Sequence, residues 1–192
     1  MIEFEPVNHI YTVDGLEVPS VTHVLEPYSS LQYVDRELLR RAAVFGDHVH
    51  QACHLFDRGE LDEDTLDPEL VPYLDGWKQF LADSGAVVIL SEYRVASRKH
   101  GYAGTFDKLL FWGKSKRLVD VKSGSVLPKT VGPQVAAYVE AYAEQGERIR
   151  DRYCVHLPGA GKYKSHRLND PRDWNIFKAA LVMHNWYQRR AA

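Results

Sequence analysis

The sequence predicts a mixed α/β fold (α+β) with a central mixed sheet of about four to five strands, flanked by helices and preceded by an N-terminal β-hairpin. Two apolar runs, 105–112 and 117–122, flank Gly113-Lys114, a pair that suits a type II′ hairpin turn. Further β-rich stretches lie at 86–96 and 150–157. Helically spaced apolar residues fill the segments around them.

The first 85 residues are predicted to be a hairpin followed by helices. Apolar alternation on both sides of Asp14-Gly15 is typical of a type I′ hairpin, and Ser20 can cap a short helix that ends near residue 26. Helical spacing then predicts helices over 34–56 and from 68 or 72 to 84. Gly46 interrupts the first of these, which indicates a close approach to the backbone there. The acidic run 57–69 is expected to be a solvated loop without chemistry.

The C-terminal part is predicted to complete the sheet. A helix is expected to begin with Pro133 at its first position, and a strand over 150–157 is expected to turn back through 158–164 toward residue 166. The turn lacks the first glycine and the Ser/Thr of a phosphate-binding loop, so it is interpreted as a lysine-bearing hairpin tip. A final helix is predicted over 171–188.

Length and composition predict one domain over 1–192, divided into an N-terminal hairpin and short helix (1–30), a helical part (31–85) and a core of sheet and helices (86–192). No apolar run is long enough to cross a membrane and no signal-peptide pattern is present, so a soluble, cytoplasmic protein is expected. Two cysteines, Cys53 and Cys154, are too few for a disulfide framework or an iron–sulfur cluster, and both are expected to be buried thiols.

Charge is divided unevenly along the chain. Residues 1–93 contain 5 Lys and Arg against 18 Asp and Glu, whereas residues 94–192 contain 19 against 8. A basic second half favours a polyanionic partner despite the net charge of −2. A solvated surface without a partner is the alternative.

The hairpin register predicts a metal site. If Trp112 pairs with Ser115, Asp107 lies opposite Asp120, and Lys122 shares their face. Two facing carboxylates repel each other, and a Mg²⁺ or Mn²⁺ ion between them would remove that penalty. A four-residue loop would instead place Asp107 opposite Lys122, and a three-residue loop would turn Asp107 to the other face.

Other candidate residues lie on neighbouring elements. Gly46, His50 and His54 share one helix face, on which His54 is interpreted as structural, and a zinc site of His50, Cys53 and His54 would need a fourth ligand from elsewhere. Glu92 is either a third acidic group at the site or a partner of Arg94 or Arg98. Gln134 and Tyr138 lie on one helical stripe, where a surface pair with an aromatic edge in the core is the alternative.

The order Asp107, Asp120-Val-Lys122, Gln134-x-x-x-Tyr138 resembles the PD-(D/E)XK nuclease superfamily, whose core is restriction-endonuclease-like. Gly46-x-x-x-His50 on an upstream helix makes the chain similar to the RecB-like branch, which includes phage recombination exonucleases. The N-terminal residues 9–22 also resemble small phage-encoded members. The branch members with an iron–sulfur cluster use four cysteines, so no such cluster is expected here.

This resemblance implies roles for named residues. Asp107, Asp120, the Val121 carbonyl and His50 would bind one or two Mg²⁺ or Mn²⁺ ions, and Lys122 would orient the attacking water. Gln134 and Tyr138 look like the supporting motif that approaches the nucleic-acid backbone. Ser123 and six lysines are expected to contact phosphates: Lys108, Lys114, Lys116, Lys129, Lys162 and Lys164.

The expected function is therefore a metal-dependent deoxyribonuclease, an exonuclease acting on the ends of double-stranded DNA or on single strands in recombination or repair. A structure-specific or restriction-type endonuclease is an alternative, and a catalytically silent DNA-binding module on a nuclease core is an alternative of another class. A recombination partner protein and a homo-oligomer are further expectations, and a phage-encoded protein would act in the host cytoplasm.

Overall fold

The computed structural model describes residues 1–29, 35–124 and 126–191, with only the backbone at 189–191. An N-terminal antiparallel sheet contains β1 (Ile2–Glu5), β2 (Ile10–Val13) and β3 (Leu16–Val18). Asp14 and Gly15 both have positive φ, 51° and 84°, as the predicted type I′ turn requires. The first strand was not predicted. The predicted boundary between residues 30 and 31 and the predicted helix start at 34 lie outside the described residues.

Helices follow this sheet. The short α1 (Val21–Leu25) is capped by the Ser20 hydroxyl, which accepts the His23 N–H, and α2 spans Arg36–Asp57. A third helix, α3 (Val71–Ser84), ends where Gly85 takes the left-handed conformation, with φ 61°. In the described residues, no helix combines the length and apolar character needed to cross a bilayer.

A five-stranded mixed sheet forms the second half of the chain, as predicted. Its strands lie side by side in chain order: β4 (Val87–Ser97), β5 (Tyr102–Trp112), β6 (Ser115–Lys122), β7 (Asp151–His156) and β8 (Lys164–Arg167). All neighbours are antiparallel except β6 and β7, which are parallel. Trp112 pairs with Ser115, and Gly113 has φ 68°, so the predicted two-residue loop and its register are confirmed.

Helices pack on both faces of this sheet, because successive strand residues point to opposite sides. Leu109 and Leu118 pack with α1, α4 (Val131–Ala143) and α5 (Asp173–Ala191). Leu110 and Val119 pack on the other face with α2 and α3. The acidic and basic side chains of the strands therefore point either toward α4 or toward α2 and α3.

The fourth helix begins at Val131, two residues before the predicted start at Pro133. Gly132 lies in its first turn, where an added Cβ would come within 2.7 Å of the Asp173 carboxylate oxygens. This glycine allows α4 and α5 to pack closely where both helices begin.

Candidate active site

The candidate site lies where β5 and β6 separate. Their pairing ends at Lys108–Val119, and the next residues on the two strands are Asp107 and Asp120, both buried. Beyond this point a side chain takes the place of a backbone carbonyl as hydrogen-bond acceptor, because Asp107 Oδ2 accepts the Val121 N–H at 2.6 Å. The predicted pairing of Asp107 with Asp120 falls one residue beyond the last paired residues of this ladder, so the facing placement of the two carboxylates stays a prediction.

A cavity of about 400 Å³ opens at this point. Side chains from α2, from strands β4 to β6 and from α4 line it, and the N-terminal sheet and α1 form its remaining wall. Six of the predicted site residues border this one cavity: His50, Glu92, Asp107, Lys122, Gln134 and Tyr138.

His50, Glu92 and Asp107 offer potential metal-ligating atoms that all lie within 4.8 Å of one another. His50 Nδ1 is 3.7 Å from Glu92 Oε1 and 3.5 Å from Asp107 Oδ2. Burial lowers the pKa of His50, but the charges of Asp107 and Glu92 outweigh it and raise the pKa above its ordinary value. Glu92 was expected to be either a third acidic group at the site or a partner of Arg94 or Arg98. The structure places it at the site, beside Asp107.

Glu92 has two unusual features. Its φ is 52°, a left-handed conformation that costs a non-glycine residue on the order of 1–3 kcal/mol. Its Oε1 is buried and has no hydrogen-bond partner in the described part of the chain. An unpartnered carboxylate oxygen beside an imidazole and a second carboxylate fits a divalent cation, which would satisfy all three groups.

Asp120 is buried, and its carboxylate contacts Lys122 and Gln134, two residues that line the cavity. Lys122 Nζ is 3.0 Å from each carboxylate oxygen of Asp120, and Gln134 Nε2 donates to Oδ1 at 3.3 Å. Burial raises the pKa of Asp120 to about 6, although Lys122 opposes the change. Burial by itself would lower the pKa of Lys122. The charges of Asp120 and Asp107 have a larger, opposite effect, so the pKa lies above its ordinary value and the ammonium stays charged. The roles of Asp120 and the Val121 carbonyl as metal ligands stay predictions.

Tyr138 closes the α4 side of the cavity. Burial, together with the nearby Asp107 charge, raises its pKa well above the ordinary value, so the phenol stays protonated. Gln134 Nε2 donates to its hydroxyl at 3.4 Å. A Cβ at Gly104 would lie 2.7 Å from the Tyr138 ring, so this glycine lets α4 reach β5. Gly104 directly precedes the Thr-Phe-Asp107 stretch, but the sequence alone does not show which side chain requires it.

The predicted phosphate contact by Lys108 is wrong. Its side chain is fully buried, and Nζ lies 2.6 Å from Asp57 Oδ2 and 2.7 Å from Ser91 Oγ. Strand alternation turns Lys108 away from Asp107 and toward α2 and α3. Asp57, which was expected in a solvated loop, is the last residue of α2, and its side chain is 1% exposed.

Two other predicted lysine contacts lie far from the cavity. Lys114 is in the β5–β6 turn, six residues before Asp120, or about 20 Å along an extended strand. Lys116 pairs with Glu147 at 2.6 Å. Neither can contact a phosphate bound at the cavity.

The other three lysines predicted to contact phosphates, Lys129, Lys162 and Lys164, lie in two different parts of the protein. His156 pairs with both Lys122 and Lys164, so Lys164 and the preceding Lys162 lie at the end of the sheet that carries the site. Lys129 is exposed and borders a separate pocket between α4 and α5.

Gly46 lies next to Ser123, the first residue after β6. Among the described residues, a Cβ at Gly46 would meet only Ser123 Oγ, at an ordinary 3.7 Å. The prediction that another part of the protein closely approaches the Gly46 backbone is therefore wrong. The predicted phosphate contact by Ser123 stays a prediction.

His54 and both cysteines have structural surroundings. His54 Nδ1 bonds with Ser91 Oγ at 2.8 Å, as the interpretation of His54 as structural allows. Cys53 and Cys154 are buried thiols, as predicted. Burial raises the pKa of Cys53 to about 12, so this thiol stays protonated at neutral pH.

No protein-family model and no curated protein matches this chain. Among solved structures it is similar to an alkaline exonuclease, LHK-Exo, from Laribacter hongkongensis, with 13% identity, a TM-score of 0.41 and coverage of 90% of this chain and 91% of that one. It is also similar to LHK-Exo in complex with dAMP, at 12% identity, a TM-score of 0.43 and coverage of 91% and 93%. A third similar structure is SSO0001, at 15% identity, a TM-score of 0.37 and coverage of 85% and 83%. Similarity at this level does not assign the chain to a family.

Proposed function

We propose that this protein is a divalent-metal-dependent DNA nuclease of the PD-(D/E)XK type that hydrolyses phosphodiester bonds. The observation that carries the proposal is the joint presence, at one cavity, of a three-residue candidate cation site and a charged lysine. Lys122 Nζ lies 3.0 Å from Asp120, and the His50, Glu92 and Asp107 ligand atoms lie within 4.8 Å of one another. A cation and a lysine together can neutralise the charge that develops on a phosphoryl group.

His50, Glu92 and Asp107 would hold Mg²⁺ or Mn²⁺, and Asp120 and the Val121 carbonyl are the further proposed ligands. When bound, the ion would polarise a phosphate oxygen and lower the pKa of a water molecule. One imidazole and several carboxylates form a donor set that suits either ion.

The other residues would orient the reacting groups. Lys122 is held by Asp120, so its ammonium can direct a water molecule and hydrogen-bond to a phosphoryl oxygen. Gln134 bonds to both Asp120 and Tyr138 and so links the catalytic strand to α4. Ser123, Lys129, Lys162 and Lys164 are proposed phosphate contacts, which would position DNA without reading its sequence.

An exonuclease that acts on DNA ends in recombination or repair is the proposed activity within this class. Cleavage should be measured on linear and covalently closed duplexes and on single strands, with Mg²⁺, Mn²⁺ or EDTA. The variants are Asp107→Asn and Lys122→Gln, with Lys114→Gln as a matched control on the same hairpin. We expect loss of about 100-fold or more in rate for the two site variants and little change for Lys114→Gln.

Three outcomes would contradict this proposal. Equal cleavage by wild type and both site variants would indicate a contaminant or another site. DNA binding without cleavage in every metal would favour a silent DNA-binding module. Cutting of covalently closed circles would replace the exonuclease with an endonuclease.

A further inference from the structure

Glu92 requires support that its own strand does not provide. A left-handed φ inside β4 and a buried carboxylate oxygen that accepts no hydrogen bond from the described residues are both unfavourable, so the surrounding structure must hold Glu92 in place. The residue directly before it, Ser91, has three polar partners from two other elements.

These partners form a closed group that we call the Ser91 network: His54, Asp57, Ser91 and Lys108. The Ser91 hydroxyl accepts from Lys108 Nζ at 2.7 Å and donates to Asp57 Oδ2 at 3.2 Å. His54 Nδ1 lies 2.8 Å from Ser91 Oγ and can fill the second acceptor position of this hydroxyl. The one donor and two acceptor positions of the hydroxyl are then all used.

The network is anchored in the core. Asp57 and Lys108 are 1% and 0% exposed and form an ion pair at 2.6 Å. Trp77 of α3 donates its indole N–H to Asp57 Oδ1 at 2.8 Å, and its ring lies 5.6 Å from Lys108 Nζ. Four elements, α2, α3, β4 and β5, therefore meet at one fully bonded polar group, which favours a single arrangement.

Each of the three candidate metal ligands is attached to a different member of this network. Glu92 follows Ser91 on β4, and Asp107 precedes Lys108 on β5. Ser91 pairs directly with Lys108, so these two attachments face each other across the sheet. The third ligand, His50, lies one helical turn before His54 on α2.

We propose that the Ser91 network positions the three ligands and so determines the affinity of the site for its cation. Ser91 is a positioning residue that acts through Glu92 and does not itself touch the ion. The inference rests on the metal site of the proposed function. A purely structural ion pair is the alternative, and it would affect stability without a separate effect on metal affinity.

The test is Mn²⁺ binding by isothermal titration calorimetry without DNA, on folded protein verified by circular dichroism. Ser91→Ala removes the hydroxyl. Ser97→Ala is the matched control, since it is the same substitution at a buried, hydrogen-bonded serine of the same strand, β4. We expect Ser91→Ala to weaken Mn²⁺ binding about 10- to 100-fold, as loss of groups that orient metal ligands typically does, and Ser97→Ala to change it less than about 3-fold.

Ser91→Cys provides a second variant if Ser91→Ala does not fold, because a thiol is similar in size but is a weak hydrogen-bonding group. Wild-type Mn²⁺ affinity in both Ser91 variants would overturn the inference and leave the proposed nuclease intact. An equal loss in Ser97→Ala would also overturn it, because general destabilisation would then explain the effect. Absence of Mn²⁺ binding by the wild type would overturn the metal site together with this inference.

Discussion

Replacement of Asp57 by asparagine is expected to destabilise the protein by about 3–5 kcal/mol, because it leaves the Lys108 ammonium buried without a counter-charge. The two side chains are 1% and 0% exposed, and their charged atoms lie 2.6 Å apart. Asparagine keeps an acceptor for the Trp77 indole N–H, which donates at 2.8 Å. The expected loss is therefore due to the charge and not to that hydrogen bond.

The expected shift in melting temperature follows from chain length. A protein of this size loses about 2–4 °C for each kcal/mol, so Asp57→Asn should lower the melting temperature by roughly 6–20 °C. Lys108→Met alone should also be destabilising, since it leaves the Asp57 carboxylate unpaired. The double variant removes both charges and should recover most of the stability of the wild type.

Urea denaturation followed by tryptophan fluorescence measures these free energies. EDTA should be present throughout, so that altered metal affinity does not contribute. A loss below about 1 kcal/mol in Asp57→Asn would refute the assigned cost of an unpaired buried charge. A double variant whose loss equals the sum of the two single losses would refute the coupling between the two residues.

Three further predictions concern the cavity. Mn²⁺ at 100 times its dissociation constant should stabilise the wild type by about 2.7 kcal/mol and stabilise Glu92→Gln much less, and equal shifts in thermal melts would contradict this. The pKa of Asp120 rises from 3.8 to about 6 on folding, so the folded state binds more protons between these values and this residue's contribution to stability is lost as pH rises through them. Metal-free wild type should therefore lose up to about 3 kcal/mol relative to Asp120→Asn between pH 4 and 8, and parallel stability–pH curves from urea denaturation would refute it. Gly104→Ala should cost about 1–3 kcal/mol through contact with Tyr138, whereas Gly46→Ala should gain up to roughly 1 kcal/mol, and the opposite order in urea denaturation would contradict both.

Local signals were sufficient to predict the hairpin. A two-residue turn at Gly113-Lys114 defines the pairing of Trp112 with Ser115, and strand alternation then determines the face of each residue as far as the Lys108–Val119 pair. Beyond that pair the alternation of β5 is interrupted, because Phe106 and Leu109 pack in the same core cluster. Helical spacing likewise predicted that Gln134 and Tyr138 lie on one stripe of a helix, and they share a hydrogen bond.

The partners of charged residues were not predictable in the same way. Lys108 and Asp57 are far apart in sequence, and their pairing depends on how α2 packs against the sheet. The acidic run after residue 56 has the composition of a solvated loop, but its first residue, Asp57, is the last residue of α2 and has a side chain that is 1% exposed. Composition reports the average environment of a segment, while burial is decided residue by residue.

The sequence by itself determined the strand order and register of the central hairpin and the helical pairing of Gln134 with Tyr138. These features depend on turns and on the periods of strand and helix, which act over a few residues. The tertiary structure decided that Glu92 lies beside His50 and Asp107. It also decided that Lys108 forms a buried ion pair with Asp57 and is not available to bind a phosphate. These contacts join residues that are far apart in sequence, so they form only when the helices pack on the sheet.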